Sequence, residues 1–157
     1  VPPAIWLDDH ARLAVVLHAL AAIVLIGATT HHWLIAIGYA RGRSAIRLGR
    51  IYAATGLVAY LATFAAGLVA YPAFRYHVRA LYLDRYEPWA SNLFDIKENF
   101  AALGLPLVIA TFVLSRIMDP RTDRGLVVGY VAMVSLTAFI VWFAVIGGLV
   151  VTMTRGV

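Results

Sequence analysis

The sequence predicts an all-α integral membrane protein whose four transmembrane helices form a bundle with both termini on the outer side. Three observations carry this expectation. Of its 157 residues 62% are hydrophobic and 13% charged, and the mean hydropathy is +0.83. A soluble domain runs nearer to about half apolar and about a quarter charged. Four apolar runs are long enough to cross ~30 Å of hydrocarbon, which takes roughly 20 helical residues. None of them alternates with the period of two that a barrel strand needs, so helices are the spanning structure. Basic residues, finally, gather in two of the connections between these runs.

The spans are predicted over about residues 13–39, 51–71, 99–115 and 126–152, in a single membrane domain covering 1–157. The first connection, "ARGRSAIRLGR", carries Arg41, Arg43, Arg47 and Arg50 with no acid. The third, "SRIMDPRTDRG", adds Arg116, Arg121 and Arg124 against Asp119 and Asp123. By the positive-inside rule these two loops are cytoplasmic, which places the chain in the cell (inner) membrane with residues 72–98 outside. The outer side is balanced: Arg12, Arg75, Arg79, Arg85, Lys97 and Arg155 meet Asp8, Asp9, Asp84, Glu87, Asp95 and Glu98. The N-terminus carries Asp8 and Asp9 where a secretory signal would be basic, so the first span is expected to stay in the mature protein.

The formal net charge of +5 is not read as a nucleic-acid signal, because the basic residues flank apolar spans and lack a polar surface around them. Anionic lipid headgroups are the expected counter-charge. With no cysteine, disulfides, thiolate metal sites, iron–sulfur ligation and C-x-x-C-H haem attachment are excluded. Spans two to four hold no ionisable side chain in their interiors apart from tyrosines, which argues against ion-coupled transport by this chain alone. No Ser/His/Asp set, zincin motif or phosphate-cradling glycine loop occurs in the spans, and Gly147-Gly148 reads as a packing or bending feature.

The second loop, residues 72–98, is expected to begin with a short amphipathic helix at the outer interface. "AFRYHVRALYLDRY" sets Phe74, Val78, Leu81 and Tyr82 on one helical face, with Arg75 and Arg79 on another. "EPW" breaks it, and Asp95 with Glu98 three residues later resembles a capping box that starts the third span. Ala59, Thr63 and Gly67 form a small-residue stripe in the second span, suited to close helix approach. Pro106 beside Gly104 is expected to kink the third span and free a carbonyl near residue 102.

Histidines carry the functional expectation. At about 100° per residue, His18, His32 and His10 fall on one stripe of the first helix, while His31 points almost oppositely. His31 joins Thr29 and Thr30 as local polar glue. His18 and His32 are separated by about 21 Å of helix rise, enough for one haem toward each side of the bilayer. That spacing resembles the ligand pairs of b-type cytochromes, which implies haem b bound by His18 and His32. His77 in the outer loop is a candidate to face His10 or His18. The ligand opposite His32 would come from a second copy of the chain or another subunit, or the iron would be five-coordinate. Met118 and Met133 are weak axial candidates.

A second constellation is outside: His10, His77, Asp95 and Glu98, with Asp84 and Glu87, offer a donor set for zinc, copper or iron. The alternative is that these acids pair with Arg75, Arg79, Arg85 and Lys97. The expected function is a small membrane subunit carrying b-type haem, passing electrons between an outer partner and a quinone or larger respiratory-type complex. The competing expectations are a non-catalytic accessory subunit that binds other membrane helices, or a homo-oligomer of such chains, and an outer-face metal or small-ligand binder.

Overall fold

The computed structural model describes residues 5–155, and every long element in it is helical. Helix α1 is Ala11–Ala40 and α2 is Ile46–Ala73; α3 is Pro88–Ile117 and α4 is Arg124–Thr154. Four helices are long and apolar enough to cross a membrane, and exposed leucine, isoleucine and valine side chains cover their outer faces. Helix α1 packs against α2 and α4, and α3 packs against the same two, closing a ring in which sequence neighbours are spatial neighbours.

The connections at one end are short and built from local hydrogen bonds. α1 stops at Gly42, whose φ of +81° is a left-handed conformation that glycine adopts without strain. Gly42 N–H donates to the Tyr39 carbonyl at 3.0 Å and Arg43 N–H to the Gly38 carbonyl at 2.9 Å, the paired bonds of a Schellman motif. Between α3 and α4, the Asp123 carboxylate accepts the Asp119 N–H at 2.8 Å, and the Asp119 carboxylate accepts the Arg121 N–H at 2.9 Å. Arg121 donates to Ser44 Oγ at 3.2 Å, so the two arginine-bearing connections lie at the same end of the ring.

At the opposite end the structure differs from the expected loop. Residues 72–86 are not a separate segment: α2 runs on through π-helical Phe74–Leu83 and a last turn, Asp84–Tyr86. Pro72 lacks an N–H, so the Leu68 carbonyl loses its helical donor just where the helix widens. The widening also changes the buried face. Val78 and Leu83, five residues apart, are the buried pair, while Leu81 is 42% exposed. A 3.6-residue period puts Leu81 on the face of Val78; with the i→i+5 winding Leu83 shares its burial instead. The break does fall at "EPW", where Glu87 leaves the helical conformation before Pro88, the first residue of α3. Asp95 and Glu98 therefore sit inside α3, and no capping box forms there. The short turn Asp8–His10 docks at this end through Asp8, which meets His77, and Arg155 lies over the Tyr82 ring.

Three buried layers hold the ring together. Tyr39, Met118, Val127 and Tyr130 fill the arginine end; Leu25, Ala59, Tyr60, Val108 and Val141 fill the middle; Val78, Leu83, Ala90 and Phe94 fill the other end. Arg79 spans α2 to α3 there with two parallel bonds to the Asp95 carboxylate, at 2.6 and 2.8 Å. Because the Asp95 side chain is 44% exposed, solvent screens the pair. Arg79→Gln is expected to cost about 1 kcal/mol or less, and the loss should shrink further in denaturation curves recorded at high salt.

Candidate functional site

A recurrent packing device positions three of the interior polar rings, each on a glycine of a neighbouring helix. Tyr39 of α1 sits over Gly49 of α2, Tyr60 of α2 over Gly104 of α3, and His18 of α1 over Gly67 of α2. A Cβ added at Gly67 would stand 3.2 Å from both Nδ1 and Cε1 of His18. Gly67 is also one helical turn beyond Thr63, so no side chain at that position shields the Thr63 carbonyl. His18 Nδ1 donates to that carbonyl at 2.8 Å. The stripe of Ala59, Thr63 and Gly67 thus seats an imidazole as well as bringing helices together.

A carbonyl oxygen only accepts, so this bond assigns the His18 proton to Nδ1 and leaves the lone pair on Nε2. An imidazole held through Nδ1–H to a carbonyl is how proteins orient a histidine for metal ligation through its other nitrogen. Lys97 of α3 approaches the same region. Its stem runs 3.9 Å from where Cβ atoms would stand at Gly147 and Gly148, and its ammonium is 4.6 Å from the Phe94 ring centroid. Gly147 and Gly148 face the lysine stem, and a methyl group at either would meet it in ordinary contact. Sequence reasoning counted Lys97 among outer-side charges; its closeness to two glycines of α4 depends on register between helices.

His32 is committed differently. It is 5% exposed, and its Nε2 is 2.5 Å from the hydroxyl of Tyr130 on α4. The two rings meet edge to face at 5.7 Å, and Tyr130 stacks in turn on Tyr39 at 6.2 Å. His18 and His32 do share the inward stripe of α1. Their angular offset is enough to send one to α2 and the other to α4. Tyr130 was the missed partner, since a tyrosine within an apolar run reads as bulk hydrophobic surface. Met118 is buried in the same layer as Tyr130, packed among apolar side chains.

Tyr130→Phe is expected to lower stability by about 1–3 kcal/mol by stranding His32 Nε2 in an apolar interior. A double-mutant cycle with His32→Phe in detergent, followed by chemical denaturation, should show the combined loss well below the sum.

The remaining histidines act locally. Thr29, Thr30 and His31 each donate one turn back, to the carbonyls of Leu25, Ile26 and Gly27 at 2.8, 2.7 and 2.7 Å. His31 also stacks on Tyr52 at 5.1 Å. His10 ends the Asp8–His10 turn, exposed. His77 Nε2 meets both oxygens of Asp8, at 2.9 and 3.1 Å, so its observed partner is Asp8 and neither His10 nor His18.

The outer donor set is dispersed. Asp95 is held by Arg79, Asp84 accepts from Ser91, Glu87 accepts from Trp89 Nε1 at 2.6 Å, and Glu98 is half-buried on α3. Among the described residues no group of three or more histidine, aspartate or glutamate side chains gathers to hold a metal. The quartet His10, His77, Asp95 and Glu98 is not gathered: Arg79 holds Asp95 and Asp8 holds His77, away from one another.

No family model, curated protein or solved structure matches this chain. Its function is therefore argued from its own residues.

Proposed function

We propose that the chain is a small subunit of the cell (inner) membrane that binds b-type haem through His18 and passes electrons to or from a quinone or a larger respiratory-type complex. In this reading the four helices form a transmembrane bundle, with the arginine connections cytoplasmic and both termini outside. The single observation that carries it is the Nδ1–H bond of His18 to the Thr63 carbonyl at 2.8 Å, which leaves Nε2 as a ligand atom. Lys97, held over the Phe94 ring, is a cation suited to a porphyrin carboxylate. One haem per chain follows, not two, because His32 Nε2 is bonded to Tyr130. Any second protein ligand to the group would be supplied by another membrane chain.

The test is a reduced-minus-oxidised visible spectrum of the purified protein, expressed in cells supplied with haem. An α-band of b type, with haem approaching one per chain, is the expected result. A colourless protein that co-purifies in fixed ratio with other membrane subunits would sink the proposal and establish the accessory-subunit reading. That second reading draws support from the self-sufficient interior, where buried Thr111, Ser115 and Thr137 bond carbonyls of their own helices. Its contact surface would be the exposed apolar faces.

A further inference from the structure

At the arginine end, α2 and α3 leave a groove of about 690 Å³ between them, lined at its mouth by Arg47, Arg50 and Arg116. Ile46, Ile51 and Ala54 make up much of its apolar wall, and no carboxylate lines it. Of the four seams between neighbouring helices this is the least closely packed.

The three arginines are not equivalent. Arg50 is a structural brace: its Nε donates to the Ser115 carbonyl at 3.0 Å and its Nη2 to the Arg116 carbonyl at 3.3 Å, tying α2 to the last turn of α3. Those carbonyls carry the negative end of the α3 dipole, so Arg50 is partly neutralised. Arg47 and Arg116 are exposed, and neither has a carboxylate within 4.0 Å among the described residues. Arg116 is held over the Phe112 ring at 4.9 Å, which fixes its guanidinium beside the groove mouth. Two uncompensated guanidinium groups beside a braced third, with no acid, favour a doubly bonded oxyanion such as phosphate.

Below the mouth the surface changes character. Ile51, Thr55 and Val58 follow one another down the same face of α2, and Val58 is 67% exposed. On α3, Phe112 and Ile109 lie one and two turns from Arg116 towards the middle of the helix, and Ile109 is 44% exposed. From Ile51 to Val58 this apolar track covers roughly 10 Å, in the direction an acyl chain takes from its headgroup. A cationic mouth over an apolar track has the shape and polarity of a glycerophospholipid; a free anion would use only the mouth.

We propose that this groove binds an anionic phospholipid, its phosphate between Arg47 and Arg116 above the braced Arg50, and one acyl chain along Ile51 and Val58. The site is independent of any cofactor at His18.

The full chain, purified and delipidated in a nonionic detergent, would be titrated with phosphatidylglycerol or phosphatidylcholine of identical acyl chains, bound lipid being counted by native mass spectrometry. Phosphatidylglycerol should bind about thirtyfold more tightly, from about one arginine's worth of surface attraction at each of two positions. Arg47→Gln/Arg116→Gln should bring the two lipids to within about twofold. Arg75→Gln/Arg85→Gln, at the other end, should keep the preference. Equal binding of the two lipids by the unaltered chain would overturn the proposal. So would an undiminished preference in the Arg47/Arg116 variant, or an equal loss in the Arg75/Arg85 variant. Thermal stabilisation by inorganic phosphate matching that by phosphatidylglycerol would reduce the groove to an ion site and overturn the lipid assignment.

Discussion

His18→Ala should abolish the b-type absorption expected of the haem-supplied protein, whereas His32→Ala should leave the band in place and cost stability instead. This is the expected result of reduced-minus-oxidised spectra on the two variants, and the contrast follows from what each imidazole already touches. Removing His18 takes away a nitrogen whose lone pair is free, because Nδ1–H is spent on the Thr63 carbonyl. Removing His32 takes away a nitrogen already bonded to Tyr130, in a layer closed by Tyr39 and Met118. Gly67→Leu should mimic His18→Ala, since a Cβ there already crowds the His18 ring at 3.2 Å and a longer side chain would displace it from the carbonyl. Loss of the band in His32→Ala with retention in His18→Ala would reverse the ligand assignment. Retention in both would remove α1 from consideration as the haem-binding helix.

The second large effect is structural. Gly104→Leu should destabilise the protein by about 2–5 kcal/mol, combining overpacking with the loss of a buried hydrogen bond. A Cβ at residue 104 would overlap the Tyr60 hydroxyl and stand 3.1 Å from Ile140. Tyr60 donates that hydroxyl to the Ala101 carbonyl, next to the Ala102 carbonyl that Pro106 deprives of its helical donor. It cannot retreat without giving up the bond, and Leu25, Ala59, Val108 and Val141 fill the layer around it. Denaturation of Gly104→Ala alone and with Tyr60→Phe offers a finer measure. Removing the hydroxyl should recover part of the loss, because it removes the atom that a new methyl group meets first. An additive double variant would show that the cost lies with Ile140.

How much of this was legible in the sequence depends on the range of the interaction. The four long apolar helices were readable, because apolar length is a property of each segment by itself. So was the shared stripe of His18 and His32, which needs only the helical period. The continuation of α2 was not: a proline normally ends a helix, and Leu83 replaces Leu81 inside only if the backbone widens to a five-residue bond. The outer metal quartet failed for a related reason. Asp95 and His77 were placed at the correct end, but Arg79 and Asp8 reached them, and composition does not rank competing partners. Tyr130 became visible only when α4 was laid against α1, and the seat of Lys97 only when α3 was laid against α4.

The length of α2 has a mechanical consequence. From Ile46 to Tyr86 the chain is helical over 41 residues, roughly 55–60 Å of rise against ~30 Å of hydrocarbon. Tilt absorbs some of the excess. In a bilayer, the length that tilt does not absorb would project beyond the hydrocarbon, with the Tyr86–Pro88 tip at one end of it. A soluble partner that grips this tip would stand away from the lipid surface and hold a lever on α2. Any tilt it imposed would be delivered through the widened stretch to Gly67, where His18 is seated.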